Sequence, residues 1–148
     1  MRAPDPFNVQ DRVDTHGAHL PAALARLARM GPASGGSDDD SSRVYSRVAN
    51  RLAELVEGIR SVRVDRDEKR ELLSLIVTDR AGTDHEARAL SDGTLRFLAL
   101  AVLEADPGTV GLLCLEEPEN GIHPERVNAM IDLLQALAVD PREAVGED

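Results

Sequence analysis

The chain is short of the residues that several kinds of chemistry need. It has one cysteine, Cys114, so no internal disulfide can form. Cys114 lies in an apolar run and is expected to be a small buried hydrophobe rather than a reactive thiol. Tryptophan is absent and aromatic residues make up 2%, so the core must come from Leu, Val, Ile and Ala; the 42% hydrophobic content can supply it. No apolar stretch approaches the roughly 20 residues of a membrane-spanning helix. The segment from Met1 to Gln10 is polar and contains prolines, unlike a signal peptide, and a cytoplasmic location is expected. Lysine occurs once, as Lys69, within a chain of formal charge −10 and pI 4.8. A field of that sign repels nucleic-acid phosphates and anionic membranes, which disfavours direct DNA binding by this segment.

The 148 residues suit one compact domain or part of a larger one. Residues 1–31 read as an irregular segment and a short helix from Leu20, with Pro21 in its first turn and Leu20, Leu24, Leu27 and Ala28 on one face. Residues 32–42, which include Gly35-Gly36-Ser37 and Asp38-Asp39-Asp40, read as a flexible acidic linker.

Residues 43–140 form the main body. A helix from Arg43 to Glu57 is predicted, capped by Ser42 and stopped by Gly58. The period then changes to two. Val62 and Val64, Leu72 to Thr78, a turn at Arg80 to Thr83 and a return strand from His85 to Leu90 make a small antiparallel sheet. Asp92 to Glu104 reads as a helix apolar on most sides, hence buried. Val110 to Leu115 reads as a short strand covered on both faces. A last helix begins near Pro124, with Val127, Met130, Ile131, Leu134 and Leu137 inward, and 141–148 is a tail. The fold class is α/β.

Three constellations carry chemistry. In Leu90-Ser91-Asp92-Gly93-Thr94 a polar, glycine-containing turn opens into the buried helix. Such a start offers unpaired N–H groups and the positive end of the helix dipole to a phosphate, although Ser-Asp-Gly is also ordinary capping chemistry. In Gly111 to Glu119, Glu116 and Glu117 follow the apolar run, where open α/β sheets place their ligands. Neighbours on a strand point to opposite sides, so one carboxylate could hold hydrated Mg²⁺ and the other orient a water, or both could merely begin a solvated loop. In Asn120-Gly121-Ile122-His123-Pro124, His123 stands at a helix start, suited to capping.

The fixed order of these pieces resembles the ABC-type ATPase heads of the SMC, RecF and OLD group, particularly the small AAA-family ATPases of the AAA_21 type. The likeness runs from Leu90 to Pro124 nearly without gaps and more loosely back to about Asp5. It implies a partial P-loop NTPase (ABC-ATPase-like) fold carrying a signature motif at 90–94 and a Walker B element at 111–117. It further implies that Ser91, Asp92, Gly93 and Thr94 are an ATP-binding signature acting in trans, with Ser91 and Gly93 touching the γ-phosphate of ATP bound to a partner head. Glu116 would be the acid near Mg²⁺, Glu117 the catalytic carboxylate, and Asn120 to His123 an inter-subunit loop. Asp92 and Glu116 depart from transporter-type heads in ways that suit this subgroup.

No G-x-x-x-x-G-K-[ST] loop is present, and nothing after Leu137 resembles the strand of a switch histidine. The chain alone is therefore expected to bind ATP poorly and to be inactive. It reads as a fragment, a truncated frame or a split subunit, whose partner is a P-loop-bearing head or a second copy. The competing reading is a non-enzymatic module that dimerises with a complete ATPase head; a generic acidic interaction domain is the third.

Overall fold

The computed structural model describes residues 5–6, 19–30, 38–108 and 113–138. Its sheet is antiparallel. Strand β1 is Asp5–Pro6, β2 is Ile59–Asp67, β3 is Leu72–Asp79 and β4 is Asp84–Glu86. Strand β3 is central: β2 pairs along one edge, with Val62 opposite Val77 and Val64 opposite Leu75. The other edge is shared by β1, opposite Leu72 and Leu73, and β4, opposite Ile76 to Thr78. The alternation read from Val62 and Val64 is thus a real pleat, and the turn at Arg80 to Thr83 lies where expected. The return strand is shorter than predicted. It stops at Glu86, and a 3-10 turn over Ala87–Ala89 buries Ala87. The two-residue β1 falls in a segment expected to be irregular.

Among the described residues four helices accompany the sheet: α1 (Leu20–Arg29), α2 (Asp38–Leu55), α3 (Asp92–Ala105) and α4 (Val127–Ala138). One core joins them. Leu20, Leu24 and Leu27 of α1, Val48 and Leu52 of α2, Val62, Leu75 and Val77 of the sheet, and Leu95, Phe97 and Leu98 of α3 are all buried in it. Helix α3 is buried on most of its circumference, as its sequence predicts.

Helix α2 corrects the linker expectation, because it begins at Asp38 rather than Arg43. The positive end of a helix dipole favours acidic residues, so a sequence run that looks like linker is also good helix-start sequence. The Ser41 hydroxyl donates to the Ala28 carbonyl at 2.9 Å and ties this extension to α1. At its other end α2 stops at Leu55. Arg126 donates to the Ala53 and Glu54 carbonyls at 2.7 and 3.0 Å, while Gly58 takes a left-handed φ of 83°.

Two further expectations change. Leu113 to Leu115 lie in no strand, Leu113 is 45% exposed and Cys114 is exposed rather than buried. A covered strand needs ladder partners on its flanks, and none of the described strands lies beside this run. Positions 110–112 lie outside the described residues. In α4, preceded by a 3-10 turn over Pro124–Arg126, the buried residues are Met130 and Leu133, and Ile131 is 45% exposed. Among the described residues, no helix is long and apolar enough to cross a membrane.

Candidate functional site

Ser91 is the N-cap of α3, with an extended backbone (φ −68°, ψ 156°). Its hydroxyl oxygen accepts from the Thr94 N–H at 3.1 Å and lies 2.9 Å from the Thr94 hydroxyl. The capping role is therefore real. It occupies one of the N–H groups that a helix start leaves unpaired. Asp92 and Gly93 follow in the first turn, and the Gly93 N–H meets no acceptor among the described residues. A turn with an open N–H at the positive end of a 14-residue helix has the chemistry to meet an anion.

The double glutamate does not sit on a strand. Glu116 and Glu117 lie exposed in the turn that follows Leu115, so the alternation of strand neighbours does not separate their directions. Glu117 adopts a left-handed φ of 46°. For a residue with a Cβ this costs about 1 kcal/mol or more, and it persists only where surroundings hold it. Three hydrogen bonds do so here. The Glu117 carbonyl accepts from the Asn120 N–H at 3.0 Å and from the Arg96 guanidinium at 3.2 Å. The Asn120 side-chain amide donates to the Glu117 carboxylate at 3.4 Å. The turn closes through the Ile122 N–H, which donates to the Glu119 carbonyl at 3.0 Å, and through Gly121 at φ 89°. His123 Nδ1 accepts from the Glu125 N–H at 3.4 Å, so this histidine caps the 3-10 turn that leads into α4.

The two turns touch. A methyl group built on Gly93 would lie 3.9 Å from the Gly121 Cα, and one built on Gly121 would lie 3.8 Å from the Gly93 Cα. Ser91 to Thr94 and Glu116 to His123 therefore form one surface, although 21 residues lie between Thr94 and Glu116 in the sequence. Sequence reasoning missed Arg96 as part of it. The signal was available: Arg96 is the lone basic residue in an otherwise nearly apolar helix.

The profile of the family described as "AAA domain, putative AbiEii toxin, Type IV TA system" matches residues 3–141, nearly the whole chain. No curated protein matches the chain, and no solved structure does. The chain belongs to this AAA-domain family, whose P-loop NTPase character brings ATPase-type nucleotide binding and the general use of ATP with Mg²⁺.

Proposed function

We propose that this chain is part of an ATP-hydrolysing site of the ABC/SMC-like kind, completed by a P-loop that its own sequence does not contain. The observation that carries the reading is the contact between Gly93 and Gly121. It sets a helix start suited to a phosphate beside a turn bearing two exposed carboxylates. On this reading the Ser91 hydroxyl, the Gly93 N–H and the Thr94 turn meet the γ-phosphate of ATP held by another head. Asp92, within the same turn, keeps its carboxylate near the helix start. Glu117 orients and deprotonates the attacking water. Asn120 and His123 lie on the loop that faces the partner.

Glu116 fits Mg²⁺ as an oxygen ligand, direct or through water. Among the described residues no group of three His, Cys, Asp or Glu side chains converges on a metal. That is compatible with Mg²⁺, which commonly takes one or two carboxylates and draws its other ligands from phosphates and water. Bound there, the ion would neutralise charge on the phosphates. Most phosphate affinity in such sites comes from the P-loop backbone and its lysine. Without them, a helix start supplies roughly 0.3–2 kcal/mol to an anion, far short of the about 8 kcal/mol of a micromolar complex.

The test is complementation of the full chain with a P-loop-bearing segment from a family member. Mg-ATP hydrolysis is expected to emerge on mixing and to fall roughly 100-fold or more in Glu117→Gln, the scale of a lost general base. If activity emerges but Glu117→Gln leaves it unchanged, the catalytic assignment is wrong. The non-enzymatic reading predicts something different: stimulation of an already complete head, insensitive to Glu117→Gln.

A further inference from the structure

Helix α3 and the glutamate turn are joined through the Arg96 side chain. Arg96 stands five residues after the Ser91 cap, and its guanidinium reaches out of α3 to the Glu117 carbonyl at 3.2 Å. That carbonyl also accepts the Asn120 N–H, so two donors fix the peptide that follows Glu117. The backbone they fix is left-handed, a conformation that residues with a Cβ rarely hold unaided. The second contact between the two segments, Gly93 against Gly121, is pure van der Waals contact and cannot set the direction of a carboxylate. Arg96 is thus a directional connection between the two.

We infer that Arg96 is a positioning residue that couples the phosphate-facing start of α3 to the orientation of Glu117, so that an anion docked at Ser91 to Thr94 is sensed at the carboxylate. This rests on the proposed phosphate contact. The coupling needs no large motion. A displacement of the first turn of α3 is carried by Arg96 to the Glu117 peptide, and rotation of that peptide swings the side chain attached to it. A guanidinium suits the task because its planar fork is rigid and always charged, whereas an ammonium is a point donor on a flexible stem.

Amide NMR on the full chain mixed with the P-loop-bearing segment, titrated with Mg-ATP to millimolar concentration, tests the inference. Wild type is expected to shift at Ser91 to Thr94 and also at Glu117, Asn120 and Ile122. In Arg96→Gln the first set should remain and the second should shrink several-fold, with Arg96→Lys intermediate. A purely structural role would instead move both sets together, or neither, while lowering the unfolding midpoint. Second-set shifts that persist in Arg96→Gln, or that never arise in wild type, overturn the coupling while leaving the phosphate contact standing. The absence of shifts at Ser91 to Thr94 would remove the contact itself and the coupling with it. Unfolding of Arg96→Gln in urea, measured alongside, identifies a variant that has lost its fold; Arg96→Lys then carries the comparison.

Discussion

Two neighbouring glycines make opposite predictions. Gly93 lies in the first turn of α3, and a methyl there would meet Gly121, Phe97 and Ser91 at 3.9 Å, ordinary contact distances. Gly93→Ala should therefore fold normally and gain up to about 1 kcal/mol from reduced backbone entropy in the unfolded state. Gly121 has φ 89°, so Gly121→Ala should cost about 1 kcal/mol or more whatever space surrounds it. Urea unfolding of the two variants separates these signs, and equal effects would contradict the geometry. Because Gly93→Ala keeps the fold, any loss of activity in the complemented enzyme reports on phosphate approach. A prediction on pH belongs at this scale too. The Asp84 carboxyl is held at about 2, first by hydrogen bonds from the Arg63 guanidinium and then by the Thr78 hydroxyl. Its folded value lies below the unfolded one, so the stability it brings is complete above about pH 4 and lost as the pH falls toward 2. Asp79 is also lowered, by His85 first and the Thr83 N–H second, and its contribution has the same sign. Asp84→Asn should flatten part of the acid-denaturation slope below pH 4 and leave the curve near neutrality parallel to wild type. An unchanged slope would contradict the pairing.

Among the elements, those that carry their own instructions were legible and those that depend on neighbours were not. Helix α3 is nearly continuous in apolar residues behind a Ser-Asp-Gly start, and its observed bounds lie within one residue of the expected ones. The β2–β3 pair announces itself by alternation. Helix α2 was read too short because Asp38 to Asp40 fit a linker and a helix start equally well, and the contact that decides between them, Ser41 to Ala28, is tertiary. In α4 the expected stripe included Ile131, but the buried position is Leu133, two residues and about 200° further round the helix. Only packing against α3 and α2 sets which way a mostly apolar helix turns. Leu133→Ala should cost about 2–5 kcal/mol, while Ile131→Ala should cost well under 1.5 kcal/mol. Helices α2 and α3 are also joined by a bidentate pair, Arg51 to Glu104 at 2.8 and 2.5 Å, which raises the Arg51 guanidinium's already high proton affinity. Glu104 is 11% exposed, so Arg51→Met would leave a mostly buried carboxylate uncompensated, at about 2 kcal/mol or more. The same locality rule governs the site. The Ser91 cap was readable from three residues, but the left-handed turn at Glu117 and its Arg96 clamp exist only once α3 and the turn are packed together.

For the whole molecule, the exposed Leu113 and Cys114 are the clearest departure from what the chain's composition promises. A described apolar stretch, Leu113 to Leu115, with no described strand beside it is an expected aggregation site, and on the proposed function a P-loop-bearing partner is expected to raise solubility. The acidic charge of −10 also repels free ATP, which adds to the shortage of phosphate-binding groups. On the proposed function, the affinity of the site lies in a P-loop segment that this sequence does not contain. Calorimetric titration of Mg-ATP into the full chain at neutral pH tests that most directly. A dissociation constant of roughly millimolar or weaker is expected, equivalent to about 4 kcal/mol or less. A micromolar constant would contradict it, because residues other than Ser91 to Thr94 and Glu116 would then be holding the phosphates.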